Sequence, residues 1–321
     1  MTKQELPMRD ILSIRALADE MMTLYTEGKY SDALELVEQN EYRFPENATR
    51  IAFWKMCLLS LCNRPRDVVS VFQRSLDSGL WWAESQFADN DLDSVRNLPE
   101  FKRLVTISQE KYEEARKHIT RDQSVLLPDS PESGRYPLLV VLHGRNGNKD
   151  SNIEYWDTAR RKGWLVLLVQ STQPLSSSSY CWDDPEKAMS DVIYYLENIS
   201  GKYPIDSEHS MIAGFSQGSG LAVYAALSGK IKVRGFIGIA TSIADPKSLR
   251  TLSGRGESLH GYFVIGEKDY SLEKVRAIQD VLKEKNISFT EELHPELGHE
   301  FPRNFEKSFD KAIDFIFKEQ E

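Results

Sequence analysis

A mostly parallel α/β sheet covered by helices on both faces, preceded by an all-α domain, is the architecture this sequence predicts. Three observations predict it. Apolar residues recur at helical spacing through about the first 115 residues. From Ser124 onward, short continuous apolar runs alternate with helical stretches, the pattern of strands buried on both faces. The length of 321 residues suits about two domains. The change of period places the boundary near residues 117–122, giving a helical domain at 1–118 and an α/β domain at 119–321.

In the first domain, Leu12, Ala16, Leu17, Met21 and Leu24 mark one apolar helix face, and Gly28 ends that helix. Ala33, Leu34, Val37 and Tyr42 mark a second helix that stops before Pro45. A third runs from about 47 to 62 (Ile51, Trp54, Leu58, Leu61). A fourth runs from about 66 to 77 (Val68, Val71, Phe72, Leu76) and stops at Gly79. The run EGKYSDALELVEQNEYRFPEN resembles a tetratricopeptide repeat, with Gly28, Tyr30, Ala33 and Pro45 at the repeat's spacing. The next unit is degenerate, with Val68 where alanine is expected. Two units are few for a free-standing stack. The segment from Leu80, carrying Trp81 and Trp82, is therefore expected to cap the stack or dock it on the second domain.

In the second domain the strands are read near 124–127, 138–142, 164–169, 211–214, 236–240, 262–265 and 289–293. The Pro-, Ser- and Gly-rich stretch 127–137 reads as the turn joining the first two. The formal net charge of −9, from 40 basic and 49 acidic residues, argues against non-specific binding to nucleic acid or an anionic membrane. Three cysteines (Cys57, Cys62, Cys181) make no disulfide framework; Cys57 and Cys62 read as core thiols. Residues 1–10 carry charges and a proline where a secretory leader needs an apolar run. The apolar runs are too short to span a bilayer. A cytoplasmic protein is the expectation.

The chemistry is read from MIAGFSQGSGLAVYAALSG. Gly214-Phe215-Ser216-Gln217-Gly218 follows an apolar strand and opens a helix, which is the setting of a nucleophile elbow. A serine hydroxyl needs a base, and the base needs an orienting acid. In a sheet of this kind they follow later strands in the order acid, then histidine. Asp269 follows the strand GYFVIGEKD, with Glu267 and, more weakly, Asp245 as rivals. His299 follows the last strand in HPELGHEFP; His294 reads as that strand's end, and His260 precedes its own strand. An oxyanion needs two N–H donors. The Gln217 amide is one, and the loop in LLVVLHGRNGNKD offers the Arg145 amide as the other, with His143 ordering the loop. The Arg145 side chain either favours an anionic substrate or is simply solvated.

Taken together, LHG, GFSQG, GEKD and GHE in this order resemble the carboxylesterase, phospholipase and acyl-thioesterase branch of the α/β-hydrolases, over residues of about 124–318. The resemblance implies an α/β-hydrolase fold and hydrolysis of carboxylic esters or thioesters through an acyl-enzyme, without metal or organic cofactor. It implies Ser216 as nucleophile, His299 as base then acid, Asp269 as orienting anion, and Arg145 and Gln217 as oxyanion donors. Three features depart from the branch. Ser219 stands where a second glycine is usual, the RNGN loop is unusually polar, and the helical N-terminal domain is not part of the basic family.

The stretch SSSSYCWDDPEK precedes the helix before the elbow strand. It offers Tyr180, Cys181, Trp182 and Asp183 as lining the acyl or alcohol pocket, with Tyr180 and Trp182 as substrate-binding residues, unless Trp182 packs against that helix. Cys181 is not expected to act as a nucleophile beside Ser216. The expected partner is a small-molecule ester or thioester. A peptidase on the same triad, and an interaction protein using the helical domain with a scaffold hydrolase, are the alternatives. For the helical domain, homo-oligomer formation and covering the active-site mouth both stay open.

Overall fold

The computed structural model describes residues 11, 13–128, 134–252 and 258–318. Leu12, residues 1–10 and the middle of the 127–137 turn lie outside the described residues. The chain divides into two compact units, one of Met1–His118 with Leu175–Ser178, the other of Ile119–Pro174 with Ser179–Glu321.

The first unit is helical: α1 (Ile14–Thr26), α2 (Tyr30–Asn40), α3 (Ala48–Leu61), α4 (Pro65–Asp77) and α5 (Pro99–Arg116). Gly28 and Gly79 end α1 and α4 at φ 71° and 86°. At both ends the following N–H bonds back five residues, Lys29 to Leu24 and Leu80 to Ser75, each at 2.9 Å. This closure requires a left-handed residue, which glycine supplies without steric cost. Leu17, Ala33, Val37, Val68 and Phe72 are buried in one core. Trp82 belongs to that same core, packing on Phe53, Phe72 and Phe87. Its backbone N–H and C=O both bond the buried Ser108 hydroxyl at 2.8 Å. Trp81 stands edge-on to Tyr112. The segment after α4 thus closes the helical unit's own core. Ser176 bridges Trp82, and Ala83 N–H donates to the Leu175 carbonyl at 2.8 Å. The unit therefore takes in four residues from far along the chain. Cys57 is buried in this core, while Cys62 is only partly so.

The second unit is built on a seven-stranded sheet. Its strands are β1 (Gln123–Leu126), β2 (Tyr136–Leu142), β3 (Leu165–Val169), β6 (Ile205–Phe215), β7 (Gly235–Ile239), β8 (His260–Gly266) and β9 (Ser288–His294), in the order β1-β3-β2-β6-β7-β8-β9. A two-residue hairpin, β4 (Gln173–Pro174) with β5 (Tyr180–Cys181), lies apart from it. Only β1 runs antiparallel to its neighbour among these pairs; the others are parallel. Helices α6 (Ile153–Arg161), α7 (Pro185–Lys202), α8 (Gln217–Leu227), α9 (Leu272–Glu284) and α10 (Phe305–Phe317) complete it.

The continuous apolar strands follow from burial on both faces. Leu138, Val140 and Leu142 of β2 point into one core with residues of α7, α8 and α9. Leu139 and Val141 point into the other with residues of α6 and α10. Each fully buried Leu, Ile or Phe stabilises the sheet layers by about 1.5–3 kcal/mol. The chain leaves β2 toward β3 on one side and returns to β6 on the other. That reversal opens a crevice beyond the carboxyl ends of β2 and β6. Among the described residues, no helix is long and apolar enough to cross a membrane.

Candidate active site

Ser216 sits between β6 and α8 with φ 53° and ψ −119°. A non-glycine residue held there stores roughly 1–3 kcal/mol of strain. The surroundings hold it in place. Its N–H donates to the Ile239 carbonyl at 2.9 Å, and its carbonyl accepts from Gly220 and Ser242 at 3.1 Å each. The flanking glycines are steric necessities. A Cβ on Gly214 would stand 2.4 Å from the Gly218 backbone, and one on Gly218 would stand 2.2 Å from the His143 carbonyl oxygen. Ser219, where a second glycine is usual, is fully buried and shares a 2.6 Å hydrogen bond with the Thr241 hydroxyl. The extra polar group is thereby satisfied, which removes the cost of burying it.

His299 Nε2 lies 2.8 Å from Ser216 Oγ. Its Nδ1 lies 2.9 Å from Asp269 Oδ1 and 3.1 Å from Oδ2. The three residues come from the loops after β6, β8 and β9, and 83 positions separate His299 from Ser216. Asp269 is buried. Its Oδ1 also accepts from the Ser271 backbone N–H at 2.7 Å and the Ser271 hydroxyl at 2.8 Å. Burial pushes this carboxyl up, but the hydrogen bonds from His299 and from both Ser271 groups outweigh it and hold the pKa below the ordinary carboxylate value. The imidazole is flanked by rings. Phe215 lies 5.1 Å away and Tyr270 stacks on it at 4.4 Å. The rival groups fall elsewhere. Asp245 caps a short helix through Lys247 N–H, Glu267 is exposed, and His260 is buried at the opposite end of β8 against Phe315.

The two expected oxyanion residues flank the crevice. Arg145 lies in a turn closed by Gly147 N–H to Gly144 C=O at 3.0 Å, with Asn146 at φ 61°. That turn bond does not use the Arg145 N–H. Gln217 is the first residue of α8, so its N–H has no intrahelical acceptor. Their side chains meet on one carboxylate. Asp183 accepts from the Arg145 guanidinium and from Gln217 Nε2 at 2.7 Å. Burial raises the Asp183 pKa, but those partners lower it further, so it stays ionised. The guanidinium is therefore matched by a protein carboxylate, which takes away the reason to expect an anionic substrate at Arg145.

Trp182 corrects the expectation that it lines a substrate pocket. It is 5% exposed and belongs to the sheet core with Ala188, Met189 and Leu221. Its indole N–H donates to the His143 carbonyl at 2.8 Å, and its ring lies 4.8 Å from the His143 ring. An indole whose N–H and faces are already engaged holds the loop rather than a ligand. Tyr180 in β5 is partly buried, its ring 6.4 Å from His143, with its backbone paired to Gly147. Cys181 is buried, and burial pushes its thiol up to about 12, so it stays protonated. Two contacts escaped the sequence reading, Tyr270 and Ser271; both follow Asp269 closely in the chain, which is the one signal that could have singled them out. Asp183, expected beside the pocket, instead joins Arg145 to Gln217.

His143 orders the oxyanion-side loop. Its Nδ1–H donates to the Gly144 carbonyl at 2.8 Å, which leaves Nε2 to accept the Ser171 N–H at 3.3 Å. The Gln170 amide nitrogen stands 3.5 Å away. A proton on Nε2 would face these two donors. Burial pushes the His143 pKa from 6.5 down to about 4, with the Gly144 hydrogen bond opposing. Tyr180 is the titratable ring beside it. The unfolded chain therefore binds a proton that the folded one refuses between those values. Stability supplied by neutral His143 is present above pH 6.5 and is lost as the pH falls to 4, by about 3 kcal/mol. In urea unfolding, the wild-type advantage over His143→Gln is expected to shrink by that amount from pH 7 to pH 4. A pH-independent difference would refute the assignment.

Residues 13–116 match the family described as "A/B hydrolase-like, N-terminal domain". The chain is similar in structure to an uncharacterized protein from Bacillus cereus ATCC 10987, at 23% identity and a TM-score of 0.54, covering 96% of this chain and 100% of that one. It is also similar to esterase PE8, at 15% identity and a TM-score of 0.55, covering 62% of this chain and 100% of that one. Among curated proteins, no sequence matches. The second unit has the α/β-hydrolase fold, and the helical region before it matches the N-terminal domain that the family description names.

Proposed function

With the second unit an α/β-hydrolase by fold, we propose that this chain is a serine hydrolase that cleaves small carboxylic esters or thioesters through an acyl-enzyme on Ser216, His299 and Asp269. The observation that carries this reading is the unbroken hydrogen-bond chain from Ser216 Oγ through His299 to Asp269, anchored on a strained elbow. The fold shared with esterase PE8 supports it.

Asp269 accepts Nδ1–H and so keeps the lone pair on Nε2 toward Ser216. Nε2 takes the serine proton as Oγ attacks the acyl carbon. The oxyanion that forms is met by the backbone N–H groups of Gln217 and Arg145, the former at the positive end of α8. The imidazolium then protonates the leaving oxygen or sulfur. Water, deprotonated by the same nitrogen, releases the acid. Asp183, by tying Arg145 to Gln217, keeps the two donor segments in register. Tyr180 is the remaining pocket candidate.

A fluorophosphonate reagent tests the reading, because only an activated serine attacks it readily. Turnover of p-nitrophenyl butyrate is expected to vanish in step with one adduct per chain, located on the peptide carrying Ser216. Undiminished turnover in excess reagent, or an adduct on another residue, would sink it. An acyl series from acetate to decanoate, run beside thioester and peptide amide substrates, then separates esterase from thioesterase and peptidase.

A further inference from the structure

Resting on the proposed role of Ser216, we infer that Tyr270 is a second hydrogen-bond donor to the leaving group, a catalytic residue beyond the three-residue relay. Its hydroxyl lies 3.1 Å from His299 Nε2, the nitrogen that also faces Ser216 Oγ at 2.8 Å. Its ring stacks on the imidazole at 4.4 Å and 28°. The residue as a whole is 70% exposed.

Lone-pair bookkeeping decides what this hydroxyl can do. With Nδ1–H donated to Asp269, Nε2 has one lone pair, and both the Ser216 and the Tyr270 hydroxyl oxygens lie within hydrogen-bond distance of it. The shorter contact belongs to Ser216. When the serine proton moves to Nε2 during attack, that lone pair is gone. Nε2 becomes a donor, and the phenol proton has lost its acceptor. The leaving oxygen must come within hydrogen-bond reach of Nε2–H to be protonated. It therefore enters the same small volume that Tyr270 Oη borders, and becomes the acceptor for both.

The step balances without a further reactant. The Oγ–C bond forms, the C–O bond to the leaving group breaks, and the serine proton travels by Nε2 to the departing oxygen. Tyr270 keeps its own proton throughout. Desolvation first, then the charge of Asp269, raises the phenol pKa against the opposing Ser216 hydrogen bond, so it remains a neutral donor at physiological pH.

The test uses the full chain and two esters of one acid. Ethyl butyrate has a leaving group that must be protonated to depart, whereas p-nitrophenolate leaves as a stable anion. Tyr270→Phe keeps the stacked ring and removes only the hydroxyl. It is expected to lower kcat/KM for ethyl butyrate by about 10-fold, the worth of one hydrogen bond to developing charge. The p-nitrophenyl ester should stay within about twofold of wild type, since its departure gains little from a donor. Tyr270→Ala should show the same selectivity added to a uniform loss from the missing ring. Equal losses on both esters from Tyr270→Phe would mean a merely structural role. No loss on ethyl butyrate, or a gain on both esters, would mean that the hydroxyl only competes with Ser216. Each of these overturns the inference. If wild type hydrolyses neither ester, the serine hydrolase reading itself has failed, and the two failures stay distinguishable.

Discussion

Replacing Ser216 with alanine is expected to cut kcat for p-nitrophenyl butyrate by about 10⁴-fold or more, while leaving the fold intact. The two effects separate because the residue does two jobs. Its backbone is the strained corner of the elbow, and alanine at φ 53° has the same Cβ and the same strain. Its hydroxyl gives one hydrogen bond to His299, worth about 1 kcal/mol of stability. Thermal unfolding should therefore shift by only a few degrees while turnover collapses. Residual activity within 10-fold of wild type would place the nucleophile elsewhere. Loss of the folded state alongside activity would show that the hydroxyl, not the backbone frame, holds the elbow.

Asp269→Asn is expected to reduce kcat by about 10⁴-fold with KM little changed. The reason lies in Ser271, whose N–H and hydroxyl both donate to Asp269 Oδ1. An asparagine keeps those two bonds only with its oxygen at the Oδ1 position. Its NH₂ then stands where Oδ2 was, a donor 3.1 Å from His299 Nδ1, and the uncharged oxygen left at Oδ1, 2.9 Å away, is shared with both Ser271 donors. The tautomer that keeps Nε2 open to Ser216 is less favoured, and the imidazolium formed during attack loses its counter-charge. The low carboxyl pKa in the wild type means that the ionised form persists through the neutral and mildly acidic range, and that its support fades only as the pH falls below the ordinary carboxylate value. Steady-state kinetics on the p-nitrophenyl ester checks the loss; an unchanged kcat would show that Asp269 neither orients nor charges the histidine.

Much of this molecule was legible because its signals are local. The five inner strands were readable from runs of buried side chains, since a strand covered on both faces leaves little room for polar residues; the edge strands β1 and β9 are only partly buried. The helix stops at Gly28 and Gly79 were readable because the left-handed closure excludes nearly every other residue. The spacing Gly214-Phe215-Ser216-Gln217-Gly218 announced an elbow, because a Cβ at either glycine would meet backbone atoms. Chain order then singled out Asp269 and His299 from their rivals, because loops at the carboxyl ends of parallel strands converge on one edge of the sheet.

What the sequence could not supply were pairings that depend on distance in space between residues far apart in the chain. Leu175–Ser178 belongs to the helical unit although it follows Ile119–Pro174 of the other unit in the chain, with no local signature to mark it. Trp182 went into the core because the His143 carbonyl, 39 residues away, lies within reach of its indole. The Arg145 side chain, which the sequence left open, is engaged by Asp183, 38 residues further along the chain. Tyr270, next in sequence to Asp269, gained its place at Nε2 only because His299 arrives from another strand. The sequence by itself determined the two kinds of architecture, the elbow and the order of the candidate residues, through short-range sterics and burial. Only the tertiary structure decided which polar groups meet, because hydrogen bonds of 2.7–3.1 Å among these loops are fixed by packing across the sheet and not by spacing along the chain.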